Sequence, residues 1–241
     1  MTISRLAIAV FTLGLASLSC SDSDSGVPAP FDPATPYEPR IASANLSADI
    51  TNPLFPAPVG ATWVYEAEPD EGIERIEIAV ESETKAVWRA TARVVRDTAL
   101  LNGDVIEDTW DWFAQDRDGN VWYMGEDTRE YEDGEVVGTE GSWEAGLGGA
   151  LPGILMLSDP ALWDEYRQEF LAGEAEDYAE VVSLDESVSV PAGEFTGCLE
   201  TRDRSVLDPE LDERKFYCAG VGNVLILEGD VRVELIDYDV P

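Results

Sequence analysis

The sequence predicts an all-β protein: a curved antiparallel sheet or partly open barrel built of consecutive hairpins, with a minor helical element. Three observations predict it. Apolar and polar residues alternate in short runs, as where Ile76, Ile78 and Val80 point one way and Glu77, Ala79 and Glu81 the other. Turn dipeptides separate such runs at Asn102-Gly103, Asp118-Gly119 and Asp133-Gly134, where glycine supplies the positive φ of a tight turn. Between Trp110 and Gly146, aromatics alternate with acids around two of these turns, which reads as a β-meander with Trp110, Trp112, Trp122 and Trp143 on its buried face. Consecutive hairpins favour up-and-down order over parallel crossovers. A length of 241 residues with 44% apolar composition suits one large all-β domain.

In chain order, residues 1–20 carry Arg5, an apolar run from Leu6 to Leu15 and then small residues. This is a secretory signal pattern, too short to span a bilayer comfortably. It ends in Ser17-Leu18-Ser19-Cys20. Residues 21–51 are rich in Pro, Ser and Asp and hold few large apolar side chains, so they read as a tether. The folded domain is expected over 52–241. Its strands are expected at 61–68, 73–81, 86–97 and 105–115, ahead of the meander. A short helical turn is expected at 160–164, with Pro160 at its first position. Strands at 166–171 and 174–183 then turn at Ala172-Gly173. Further strands are expected at 187–191, 194–203, 215–219, 223–228 and 231–238, with turns at Ala192-Gly193 and Gly229-Asp230.

Charge and composition bound the function. Fifty Asp and Glu face fifteen Lys and Arg, a formal net charge of −35. Such a surface repels nucleic acid and anionic membranes and attracts cations or basic partners. There is no histidine, which excludes Ser-His-Asp and Cys-His catalysis and His-ligated metals within this chain. The glycine-rich stretch 146–153 is followed by no Lys-Ser/Thr and is no phosphate-binding loop.

Two resemblances follow from quoted residues. Ser17-Leu18-Ser19-Cys20 resembles a bacterial lipoprotein processing site, which implies lipidation of Cys20 and attachment to the membrane through that anchor only. The runs GNVWY (119–123) with Gly125-Glu126-Asp127, GSWEAG (141–146), YRQEF (166–170) with GEAED (173–177), and VPAGEF (190–195) with GVG (220–222) resemble a family of uncharacterised secreted bacterial lipoproteins. That likeness implies the compartment, a bacterial cell envelope, and leaves activity open.

Several residues are candidates for chemistry. If the strands flanking 204–212 pair as a hairpin centred near Asp208, Cys198 and Cys218 fall opposite each other, which suits a disulfide in an exported protein. If Asp118-Gly119 closes a two-residue turn, Asp111 faces Glu126. If Ala172-Gly173 closes another, Glu169 faces Glu176, with Glu174 on the same face. Like charges directly opposite destabilise a sheet, so compensation is required. Arg167 and Arg96 are the nearby arginines, and a hard cation such as Ca²⁺ is the alternative. No EF-hand loop is present, because Gly119 comes too early after Asp116. The expected function is a non-enzymatic envelope module that binds a small ligand or a basic protein partner. The alternatives are a Ca²⁺-binding acidic surface protein and a carboxylate-pair hydrolase.

Overall fold

The computed structural model describes residues 35–39, 41, 45–88 and 90–241. The expected signal segment 1–20 with the lipidation candidate Cys20 and most of the expected tether lie outside these residues. The described residues form fifteen antiparallel strands and no helix. These are β1 (Thr62–Ala67), β2 (Glu74–Val87), β3 (Ala90–Leu101), β4 (Asp104–Gln115), β5 (Val121–Glu132), β6 (Glu135–Gly138), β7 (Trp143–Glu144) and β8 (Leu151–Met156). There follow β9 (Glu165–Arg167), β10 (Glu169–Phe170), β11 (Asp177–Val190), β12 (Gly193–Ser205), β13 (Glu213–Cys218), β14 (Gly222–Glu228) and β15 (Val231–Asp239).

The strands pair in the order β10-β8-β5-β4-β3-β2-β1-β15-β14-β13-β12-β11-β9. The first strand thus pairs with the last. The two ends of this path, β9 and β10, are separated in sequence only by Gln168. One extended segment pairs with β11 through Tyr166 and Arg167, then switches to β8 through Glu169 and Phe170. That switch brings both edges of the sheet together into a nearly closed barrel, which leaves little unpaired edge.

Gly153 makes the switch possible. A Cβ on it would lie 2.1 Å from the carbonyl carbon and oxygen of Gln168, so only glycine lets β8 approach the crossing backbone.

The segment before β1 closes one end of the barrel. Ser47 and Gln115 exchange backbone hydrogen bonds, and Asn52 Nδ2 donates to the carbonyls of Gly119 and Leu157. Gly220 N donates to the Pro53 carbonyl. Ile50, Leu54, Phe55 and Ala57 pack into the main core, with Phe55 edge-on against Phe113. Contact with the barrel begins before residue 52: the Tyr37 hydroxyl donates to the Pro152 carbonyl, and Ile41 and Leu46 pack on the outer cluster around Trp112 and Trp122.

Several expectations are corrected. The 160–164 segment is a tight turn and not a helical one: Asp164 N donates to the Ala161 carbonyl, Trp163 has a φ of 73°, and Trp163 N and the Asp164 carbonyl are bonded to Val181 of β11. The expected strand 86–97 is divided, with Val87 paired to Ala90 across a tight turn. The strands expected at 174–183 and 187–191 are one strand, β11, interrupted by bulges between Val181 and Ser187. Its turn into β12 falls at Pro191-Ala192, since Val190 pairs with Gly193.

Candidate functional site

Strand register decides which side chains face the barrel interior. Val95 pairs with Asp111 and Asp111 with Glu126, so these share one face, as do Asp97, Thr109 and Thr128 one step further along and Ala99, Glu107 and Glu130 two steps along. Across the barrel, Leu199, Thr201 and Asp203 pair with Tyr217, Lys215 and Glu213. Asp177 joins that face opposite Ser205, beside the pair Ala179–Asp203. The interior is apolar near the closed end, where Trp63, Val80, Val95, Phe113, Val121, Met156, Val224 and Leu235 are buried. Toward the other end it turns acidic.

One cluster is centred on Tyr123. Its ring stacks on Phe113 at 4.9 Å between centroids, which carries the apolar stack from Phe55 to the acids. Its hydroxyl lies 2.5 Å from Asp111 Oδ1 and 2.5 Å from Glu126 Oε2. A phenol has one proton and can donate to one carboxylate only. The other carboxyl must therefore carry its own proton and donate to the phenolic oxygen. The electrostatics agree. Burial pushes Asp111 up to about 7, with Glu107 adding to it and the Tyr123 hydrogen bond opposing it. Burial, then Asp111 and Glu169, hold Glu126 well above the usual carboxylate range. Asp97 is raised by burial and by the negative charges of Asp111, Glu107 and Glu74.

Glu169 completes this cluster. The Trp143 indole stands edge-on to Tyr123 and donates from Nε1 to Glu169 Oε2 at 3.1 Å. Burial and the neighbouring Asp177 push Glu169 up to about 8, against the Trp143 hydrogen bond. Trp143 reaches this position because β7 crosses β5 at Gly125, where a Cβ would lie 2.3 Å from the Trp143 carbonyl oxygen.

A second cluster surrounds Lys215. Its Nζ lies 3.1 Å from Asp203 Oδ2 and 3.1 Å from Glu213 Oε2. Burial alone would lower its pKa, but these two carboxylates outweigh burial and raise it. Lys215 is therefore a charge, not a neutral amine nucleophile. Gln168, at the strand switch, donates from Nε2 to the same Asp203 oxygen. The Lys215 side chain keeps 24% of its surface accessible, whereas Asp203 keeps 3%. Asp111, Tyr123, Glu126, Asp177 and Asn223 are only half-buried, so the interior presents reachable polar surface.

The expected acids divide unevenly. Asp111, Glu126 and Glu169 come together in the interior. Glu174 is exposed at a turn, and Glu176 pairs with Arg167 at 3.5 Å and accepts from Gly173 N, so the expected face of Glu169, Glu174 and Glu176 does not form. Glu169 instead pairs with Pro152 as the chain leaves β11 for β8. Arg96 holds Asp108 through two hydrogen bonds of 2.7 Å on the outer face and does not reach Asp111. Among the described residues, no group of three or more His, Cys, Asp or Glu could hold a metal ion. The Cys198–Cys218 disulfide forms as expected, with Cα atoms 4.3 Å apart. Sequence reasoning missed Tyr123, Lys215, Asp177, Asp203 and Glu213. The signal for Lys215 and Glu213 was alternation, since Glu213, Lys215 and Tyr217 occupy one face of β13.

No family model matches the chain, and no curated protein matches it. Among solved structures, it is similar to a protein of Parabacteroides distasonis ATCC 8503 described as a "putative lipoprotein". The two are 13% identical with a TM-score of 0.41, over 77% of this chain and 98% of that one.

Proposed function

We propose that the protein is an exported envelope module, anchored by a lipid on Cys20, whose barrel interior binds a small ligand. One observation carries the binding reading: a barrel capped at one end by residues 45–57 presents an inward stripe of half-buried polar groups toward the other. Concave interiors with few convergent polar groups and shifted ionisations are the usual form of a ligand site. Asp111 and Glu126 converge on one phenol, an arrangement that fixes a binding wall more naturally than it separates an acid from a base. The net charge of −35 favours cationic or basic partners over nucleic acid. The leader and the lipoprotein-like Ser17–Cys20 support export and anchoring, as does the resemblance to secreted lipoproteins.

Two experiments test this. Small molecules of cationic, neutral and anionic classes are screened by thermal shift on the full chain and on Ala99→Phe, which narrows the acidic end of the interior. Hits that vanish in Ala99→Phe support the reading, whereas hits that persist place binding elsewhere. For the anchor, Cys20→Ala is expected to leave the membrane fraction, and its retention there at wild-type levels would remove that part of the proposal.

A further inference from the structure

Four side-chain acceptors in the second cluster have no hydrogen-bond partner. They are Asp177 Oδ1, Asp203 Oδ1, Thr201 Oγ1 and Asn223 Oδ1. Asp203 and Thr201 are 2% and 1% exposed, so these are buried atoms for which a missing partner is costly. Their positions form one patch. Thr201 is opposite Lys215, Asp203 is opposite Glu213, Asp177 is diagonal to Asp203, and Asn223 is opposite Tyr217. The other atoms of these groups are already held. Asp203 Oδ2 accepts from Lys215 and Gln168, the Asp177 carboxylate is hydrogen-bonded by Ser205, and Asn223 bonds the Tyr217 hydroxyl.

The four unpartnered atoms share a chemistry: all can accept, and only the threonine hydroxyl can also donate. The patch therefore calls for donors. Three carboxylates, those of Asp177, Asp203 and Glu213, also gather around a single Lys215. An anion fits neither property. A compact hard cation needs six or more oxygens at one point, and no such convergence exists among the described residues. The acceptors of Asp177 on β11 and of Thr201 and Asp203 on β12 lie on neighbouring strands, about 4.8 Å apart, which matches a ligand that carries several N–H groups, with Asn223 two strands further on.

We propose that the patch formed by Thr201, Asp203, Asp177 and Asn223 beside Lys215 binds a small organic cation through its N–H donors, a primary ammonium or a guanidinium. The proposal rests on the reading of the barrel interior as a ligand site and names the ligand's class. The ligand's positive group takes the second oxygen of Asp203, whose first oxygen already serves Lys215.

The test is calorimetry and thermal melting of the full chain with 1,4-diaminobutane, guanidinium, 1,4-butanediol, succinate and Ca²⁺ at matched ionic strength. The diamine or guanidinium is expected to bind and the diol and succinate are not. Asp177→Asn and Asp203→Asn are each expected to weaken binding tenfold or more, and Thr201→Val severalfold. Asp212→Asn makes the same charge change on the outer wall, where Asp212 pairs with Arg202, and is expected to leave binding within twofold. Thr201→Val keeps the test valid if Asp203→Asn fails to fold. Equal melting shifts from every salt would overturn the proposal and leave water as the partner of these atoms, and Ca²⁺ binding alone would overturn it in favour of a metal. A neutral or anionic probe that binds in the wild type and is lost in Ala99→Phe, but not in Asp177→Asn, would overturn the cation and keep the interior site. Loss of no probe in Ala99→Phe would overturn both.

Discussion

Asp111 and Glu126 face each other across β4 and β5 and share the hydroxyl of Tyr123, each at 2.5 Å. Two like charges so placed would repel if both were ionised, and a proton held between them removes the conflict. The arrangement ties the interior to pH.

Stability is expected to fall as pH rises. Asp111 and Glu169 titrate near 7 and 8 in the folded chain, and Asp97 and Glu126 are raised as well. In the unfolded chain such groups titrate near about 4. Between about 4 and 8 the folded chain binds more protons than the unfolded one, so the unfolding free energy declines with pH across that window. The term is fully present at the acid side of the window and lost above it. Denaturant titrations at pH 5 and pH 9 should differ by a few kcal/mol, with Glu169→Gln removing on the order of 3 kcal/mol of the difference. Glu174→Gln removes one charge at an exposed turn outside the interior and serves as the control for general repulsion.

The turn between β4 and β5 is organised by Asp116. Its oxygens accept from the backbone N–H of Asp118 and Asn120, from Asn120 Nδ2 and from Trp122 Nε1 at 2.8 Å. Asp116→Ala strips these and orphans the indole N–H of a buried tryptophan. A loss of about 2–3 kcal/mol is expected in urea denaturation. Exposed Asp118→Ala should cost about 0.5 kcal/mol or less.

That turn shows how far the sequence could be read. Asp118-Gly119 marks the turn, but Gln115 pairs with Val121, so the loop is longer than the dipeptide implies. Asp111 still faces Glu126 because a bulge between Asp111 and Phe113 shifts the register back by one. Alternation and Asx-Gly signals carried the strands and the disulfide, since these depend on neighbours in sequence. The turn after Val87 carried no such signal: Trp88 adopts a φ of 46°. Its ring packs where a Cβ on Gly146 would come within 2.6 Å, a tertiary contact that local propensity cannot register. The inward placement of Asp111, Glu126 and Glu169 is hidden from the sequence for the same reason. Nothing local distinguishes a polar face turned to solvent from one turned into a barrel, and only closure through Gln168 makes that distinction.

The disulfide is expected to stabilise the fold by restricting the unfolded chain. Cys198 and Cys218 are separated by 20 residues, and closing such a loop contributes about 3 kcal/mol. The Cys198→Ser/Cys218→Ser double variant should lose about that much in guanidinium denaturation. Adding reductant should then leave the variant unchanged while it lowers the wild type to the same level.

Closure of the barrel hangs on Gly153, and its substitution gives the sharpest test of the fold. Gly153 has no left-handed φ, so alanine there meets no backbone strain of its own. The obstacle is steric: the new Cβ would sit 2.1 Å from the Gln168 carbonyl and 2.5 Å from the Glu169 nitrogen, both backbone. Backbone cannot swing aside as a side chain does, so β8 and β10 must part. That separates Glu169 from Pro152 and loosens the Gln168 and Glu169 contacts to Asp203 and Trp143. Gly153→Ala should therefore cost on the order of 3 kcal/mol, and hydrogen exchange should quicken at residues 166–170 before the β11–β15 half opens. Gly138→Ala is the control, because its Cβ would meet only the carboxylate end of Glu130, 2.7 Å away on a flexible side chain. It should stay within about 1 kcal/mol of wild type. A Gly153→Ala protein as stable and as protected as wild type would mean that the two edges of the sheet do not meet at Gln168, and with that the interior placement of Glu169 would fail.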